Sequence, residues 1–210
     1  MKIGILGTGN LAEAMATALT KKNYHVMVGA RDVEKARRFT GELGHYAKAG
    51  TIANAIHYGE VIILAVPYKS VDEVLGHIDT YKDKIVVDAT NPLIFKGMAE
   101  LALGHETSAA EQIAQMVPEA KVIKAFNTAF TETYEFTSFG PNEASMFYCG
   151  DDSEAKDVVK KIILDLDLDP VDCGPLDSAR LLEPLATLII RIGVNMGQGR
   201  EIAWKLLKRE

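Results

Sequence analysis

The residues best suited to chemistry in this 210-residue chain stand within its first 35. Gly7-Thr8-Gly9-Asn10-Leu11-Ala12 follows directly on the apolar run that ends at Leu6. Gly7 lets the backbone bend sharply off a strand end, and Gly9, with no Cβ, lets it lie against a pyrophosphate. Ala12 stands at the usual third glycine position, where a methyl is the most that close helix–strand packing tolerates. The helix that begins here offers unpaired N–H groups and a partial positive charge to phosphates. A second apolar run, His25 to Ala30, closes on Arg31, with Lys35 one helical turn further on. A site for NAD normally places Asp or Glu there to bond the ribose hydroxyls. Arg31 can instead fork onto a 2′-phosphate and Lys35 can add a point charge, so the expected cofactor is NADP(H). Asp32 reads as the N-cap of a helix from Val33.

No acid–base constellation accompanies this unit, and no catalytic residue is assigned. No Tyr-x-x-x-Lys pair occurs. His25, His45, His57 and His77 read as structural, leaving His105, before Ser108, as the histidine with a claim to a cleft. Asp165, Asp167 and Asp169 lack the glycine and terminal glutamate of a calcium loop, and Pro170 interrupts them, so no metal site is expected. Cys149 and Cys173 form no CxxC and read as buried thiols in a reducing cytosol. Gly193, Gly197 and Gly199, expected in the last helix, suit either a close approach by a ring or backbone, or loose helix termination.

The elements that must position these residues alternate strand and helix. After the opening βαβ unit, a short strand around His45–Lys48 precedes a helix from Thr51. Val61–Val66 is an uninterrupted apolar run of the kind found in central parallel strands, ended by Pro67. A helix from about Ser70 to Ile78 leads to the strand Ile85–Asp88, and Ala89-Thr-Asn-Pro92 opens an irregular segment. Ser108-Ala-Ala-Glu111 has capping-box spacing for a helix to about Val117. Lys121–Ala125 and Met146–Cys149 are strands, and a helix over Ser153–Leu166 leads to the strand Pro170–Cys173. Asp177 is the expected N-cap of a final helix, and Pro184 should kink it or disturb its first turns. Leu185, Leu188, Ile189, Ile192 and Met196 give that helix one apolar face. The alternation predicts an α/β fold, a doubly wound and mainly parallel sheet. Ligands of such sheets sit beyond the C-terminal strand ends, here Ala65-Val66-Pro67, Asn91-Pro92, Asn127-Thr128 and Cys173-Gly174. For Asn91 and Asn127 a ligand contact and a turn-forming role weigh equally.

At this length the chain is read as a single nucleotide-binding domain over 1–210, with residues 177–210 as a C-terminal helix closing an acceptor pocket. Hydrophobic residues at 48% and charged residues at 25% are ordinary for a soluble globular protein, and the longest apolar stretches fall short of a bilayer span. A net charge of −6 with scattered basic residues argues against nucleic-acid binding. Met1-Lys2 leads straight into a core strand, so no signal peptide is expected and a cytoplasmic location is. The apolar face of the last helix suits a homodimer contact.

Six segments spread over nearly the whole chain carry a family resemblance. They are Gly7-Thr-Gly-Asn-Leu11, Gly29-Ala-Arg31 with Lys35, Ser108-Ala-Ala-Glu111, Lys124-Ala-Phe-Asn-Thr128, Cys149-Gly-Asp-Asp152 and Gly174-Pro-Leu-Asp-Ser-Ala-Arg180. Together they resemble the NADPH-dependent coenzyme F420 reductases, or F420-dependent NADP oxidoreductases, and the cytosolic reductase domains of the Steap metalloreductases. Gly9-Asn-Leu-Ala-Glu-Ala14 also resembles pyrroline-5-carboxylate reductase, which adds a larger helical domain.

The main resemblance implies a Rossmann-type fold with a short C-terminal helical extension, and hydride transfer between NADP(H) and a deazaflavin (F420) or flavin ring. It implies NADP(H) held by Thr8, Gly9, Asn10, Leu11, Arg31 and Lys35, with Val66, Pro67, Asn91 and Pro92 near the nicotinamide. The acceptor ring would be bounded by Asn127 and Thr128 and by Met196 and Gly197 of the last helix. Archaeal members typically carry histidine where this chain has Asn127, whereas the Steap-like branch has asparagine. Two other readings fit the sequence: an NADP(H)-binding redox sensor without turnover, and an imine or hydroxyacid reductase.

Overall fold

The structure, a computed structural model, describes residues 1–78 and 80–209. Strands β1 (Lys2–Leu6), β2 (His25–Gly29), β3 (Ala47–Gly50), β4 (Val61–Leu64), β5 (Ile85–Asp88), β8 (Lys121–Lys124), β11 (Ser145–Gly150) and β12 (Asp169–Asp172) form one eight-stranded sheet. Their order across it is β12-β11-β8-β5-β4-β1-β2-β3. Every pairing is parallel except β11 against β8, where β11 runs antiparallel. β4 is wholly buried because helices cover both sheet faces, which is why its sequence shows no alternation.

One face is covered by α1 (Asn10–Lys21), α2 (Val33–Thr40) and α6 (Ser153–Asp165), through residues such as Met15, Leu19, Ala36, Ile162 and Ile163. The other is covered by α3 (Ile52–Tyr58), α4 (Val71–Leu75), α5 (Ala109–Met116) and α7 (Ala179–Ile190), through Ile56, Val74, Ile113 and Leu182. The doubly wound, mainly parallel sheet expected from the alternation is present. No helix among the described residues is long and apolar enough to cross a membrane.

Several boundaries differ from the sequence reading for local reasons. β3 starts two residues late because Gly44, at φ +72°, opens a 3₁₀ turn over Gly44–Tyr46. The segment after Pro92 is not irregular. β6 (Leu93–Lys96) and β7 (Met98–Leu101) make an antiparallel hairpin about Gly97, whose φ of +82° suits only the left-handed region. A shorter hairpin pairs β9 (Ser138–Phe139) with β10 (Asn142–Glu143). Asp177 does not cap the last helix: Leu176–Ser178 form a 3₁₀ turn, and α7 begins at Ala179 with no side-chain cap.

Residues 177–210 are therefore not one helix. α7 carries Pro184 in its interior and runs into a π-helical turn, Arg191–Asn195. Gly197 (φ +74°) and Gly199 (φ +83°) then reverse the chain. Gly193 serves differently: a Cβ there would stand 2.5 Å from the Gly199 carbonyl oxygen and 2.7 Å from the Phe130 ring. Close approach explains one glycine, and termination the other two. The tail returns to the sheet, where Ser145 N–H donates to the Trp204 carbonyl (2.8 Å) and Lys205 pairs with Asp169 (2.8 Å).

Candidate functional site

Two clefts lie at the C-terminal strand ends; the turn between β1 and α1 lines the first, and Leu11 in the first turn of α1 lines the second. The first, about 360 Å³, is floored by Gly7, Thr8 and Gly9 and walled by Arg31, Lys35, Val66 and Pro67. Gly7 sits at φ +128°, and a Cβ there would lie 2.3 Å from the Ala65 carbonyl oxygen. A Cβ on Gly9 would meet nothing within 4 Å, so the backbone there opens onto free space. Gly9 is also the N-cap of α1 and brings no side-chain acceptor to its first turn. This cradle fits the phosphates of a dinucleotide.

Arg31 stands at the mouth, largely exposed, with Nη1 3.3 Å from Glu73 Oε1. The Asp32 carboxylate is spoken for, because its Oδ1 accepts from the N–H groups of Glu34 (3.1 Å) and Lys35 (3.2 Å). It caps α2 as its position suggests, leaving the cations beside it to meet an anion.

The second cleft, about 390 Å³, is apolar: Leu11, Phe95, Phe126, Phe130, Ile189 and Val194 dominate its wall. Asn91 and Asn127 lie at its polar edge and clasp each other. Asn127 Nδ2 donates to Asn91 Oδ1 (3.0 Å) and to the Leu182 carbonyl (3.2 Å), while Asn91 Nδ2 donates to the Asn127 carbonyl (3.1 Å). Asn127 Oδ1 is buried and finds no hydrogen-bond partner among the described residues. The preceding residue, Phe126, is 1% exposed and held at φ +64°, a costly conformation for a bulky side chain. The Tyr134 hydroxyl fixes it by donating to the Phe126 carbonyl (2.9 Å). Among the described residues Arg200 is the one ionisable residue lining this cleft. Its guanidinium lies 4.8 Å from the Phe130 ring centroid and donates to Glu132 (2.6 Å).

The structure thus gathers Gly7, Thr8, Gly9, Arg31, Lys35, Val66 and Pro67 in one cleft, and Leu11, Asn91 and Asn127 in the other. Five expected residues lie elsewhere. The Asn10 side chain faces a separate groove on the outer side of α1 with Glu13 and Thr17. Pro92 is buried at the root of the hairpin, its carbonyl accepting from Ala102 N–H (2.6 Å). Thr128 turns into the core, with its hydroxyl 3.9 Å from Met146 Sδ. Met196 and Gly197 lie past the helix end, with Met196 66% exposed. Ile189, Val194 and Arg200 take the wall expected of them, because the glycine turn swings 196–199 outward.

His105 is exposed and lines no described cleft. Among the described residues no cluster is fit to hold a metal ion. Asp165, Asp167 and Asp169 are each paired with a lysine. Both cysteines are free, and burial pushes the Cys149 thiol up to about 12.

The group that sequence reasoning missed lies beneath the second cleft. Lys124, fully buried, donates to Asp88 Oδ2 (2.8 Å), Glu183 Oε1 (2.9 Å) and the Thr90 carbonyl (2.6 Å). Glu183 also accepts from Ala109 N–H (3.2 Å) and Ala110 N–H (3.4 Å) at the start of α5. Burial works against the Lys124 ammonium, but the two carboxylates outweigh it and hold its proton more tightly than in a free lysine. Burial pushes Glu183 above the usual carboxylate range, with Lys124 opposing. The available signal is a lysine directly after the apolar pair Val122-Ile123 at the end of a central strand, and a glutamate within the apolar run of α7.

Replacing Lys124 by Met leaves two buried carboxylates facing each other. Such a loss of one partner destabilises by roughly 3–5 kcal/mol, to be read from denaturant unfolding of the Lys124→Met variant.

Residues 2–92 match the family described as NADP oxidoreductase, coenzyme F420-dependent. An F420-dependent NADP reductase of Methanocaldococcus jannaschii is 30% identical over 210 residues, covering 93% of each chain. The metalloreductase STEAP3 of Rattus norvegicus is 32% identical over 186 residues, which is 88% of this chain and 36% of that longer protein. Among solved structures, a protein of Arthrobacter sp. FB24 named after the F420-dependent NADP reductases superposes with a TM-score of 0.85 at 27% identity, covering 99% of this chain and all of that one. By its near full-length match to a reductase of this kind, the chain belongs to the family of F420-dependent NADP oxidoreductases.

Proposed function

We propose that this protein passes hydride between NADP(H), held in the cleft of Gly7 and Arg31, and a deazaflavin or flavin ring seated in the apolar cleft beside it. The carrying observation is the composition of that second cleft: three phenylalanines, aliphatic side chains and two amides, with Arg200 its one ionisable lining residue among those described. When bound, NADPH supplies the hydride. The chain's part is to orient two flat rings and keep water from between them, which needs no proton-transfer side chain. A ring reduced by hydride also takes up one proton, which reaches it from solvent at the open mouth. Gly7, Thr8, Gly9 and the first turn of α1 receive the pyrophosphate in this reading, and Arg31 and Lys35 the 2′-phosphate. Val66, Pro67 and the Asn91–Asn127 clasp border the nicotinamide.

We also propose a homodimer. Leu181 (71% exposed), Leu188, Val194 and Met196 follow one another along α7 and its end, and α7 packs beside the hairpin that exposes Phe95 and Met98. A second copy is the natural cover for an apolar patch made of two adjoining elements. The two free thiols fit a reducing compartment such as the cytoplasm.

Stopped-flow oxidation of NADPH against F420, FMN, FAD and riboflavin tests the hydride reading. Rapid single-turnover oxidation with at least one of these rings is expected. Tight NADPH binding without oxidation by any of them would instead favour a sensor. Arg31→Ala should cut the preference for NADPH over NADH at least tenfold, measured as the ratio of the two kcat/KM values. Light scattering should give twice the chain mass for the wild type, and a single chain mass for Leu188→Glu.

A further inference from the structure

We propose that Glu73 is a specificity-determining residue of the cofactor cleft, competing with the cofactor's 2′-phosphate for the Arg31 guanidinium and so restraining NADP(H) affinity. The inference rests on the reading that Arg31 receives that phosphate. Glu73, on α4, lines the same cleft as Arg31, Lys35 and Gly9. Both of its carboxylate oxygens face Arg31 Nη1, at 3.3 and 3.5 Å. The carboxylates nearby are otherwise engaged: Asp32 caps α2, and Glu34 pairs with Arg37. Glu73 has no second cation among the described residues.

The pair spans the cleft, from the end of β2 to the helix after β4, and both partners are largely exposed. An exposed pair of this kind adds little stability. Its effect falls on the ligand. A dianionic phosphate arriving at Arg31 must displace the carboxylate or sit beside it, and either outcome weakens binding. NAD(H) carries no group that asks Arg31 to leave Glu73. The carboxylate therefore narrows the preference for NADP(H), and removing its charge should widen it.

Isothermal titration at low ionic strength with adenosine 2′,5′-bisphosphate and adenosine 5′-monophosphate isolates this contribution. Glu73→Gln keeps the side chain's shape on an exposed helix surface. It should bind the bisphosphate about fivefold more tightly than the wild type, with the monophosphate changed less than twofold. Glu154→Gln, the same charge change beside Lys121 on the opposite half of the sheet, should match the wild type. Unchanged or weaker bisphosphate binding by Glu73→Gln overturns the proposal. So does equal tightening of both ligands, or of the bisphosphate by Glu154→Gln, since each marks a bulk charge effect. A wild type that does not prefer the bisphosphate overturns the reading of Arg31 itself, and this inference with it.

Discussion

The buried ion cluster of Lys124, Asp88 and Glu183 is the constraint on which the site depends. Lys124 ends β8, Asp88 ends β5, and Glu183 lies in α7, so three walls of the apolar cleft meet at one ammonium. The start of α5 joins them through two N–H groups on Glu183. Placing such charges in a low-dielectric interior is strongly unfavourable unless geometry and partners are nearly complete. Here they are: the ammonium has three acceptors, and Glu183 has three donors. An apolar trio of similar volume would serve stability as well or better. Hydrophobic contacts, though, tolerate sliding, whereas a three-way hydrogen-bonded ion cluster fixes register. That register reaches the cleft within a few residues. Asn91 follows Thr90, whose carbonyl holds Lys124, and Asn127 donates to Leu182, next to Glu183.

The two clefts divide their tasks by polarity. On the β1–β2–β4 side the backbone is bare, glycine-lined and flanked by Arg31 and Lys35. On the β5–β8 side it is clad in aromatic and aliphatic groups. The start of α1 joins them, with Gly7 and Gly9 before it lining one and Leu11 within it lining the other. A ligand with a charged end and a flat end is matched by this gradient.

What sequence reveals here depends on the range of the interaction. The glycine-lined cleft is legible because Gly7 and Gly9 on one strand end, and Arg31 and the Asp32 cap on the next, each act through local backbone geometry. Asn91 and Asn127 are legible because strand ends in parallel sheets point to one edge. A helix over 177–210 overreaches because the apolar period continues to Met196 while the π turn and two left-handed glycines end the helix. Thr128 failed for a related reason: the left-handed Phe126 rotates the loop, so Asn127 faces the cleft and Thr128 faces Met146. The ion cluster joins residues 36 and 59 positions apart, and no local pattern announces such a pairing.

Phe126 shows how these constraints act together. A phenylalanine at φ +64° is unfavourable by about 1–3 kcal/mol and persists only where its surroundings over-determine it. Three restraints do so: Lys124 two residues before it, the Asn127 clasp directly after it, and the Tyr134 hydroxyl on its carbonyl. The strained turn aims an amide at the cleft edge and lays an aromatic ring along its wall. The Lys124 cluster stays beneath the floor, saturated by its own members and by backbone groups, and the tyrosine donates to a backbone carbonyl. A cleft floored this way offers neither a titrating acid nor a free base to a ligand above it. Whatever proceeds there is governed by the placement of its walls, and that placement is set by the ammonium below.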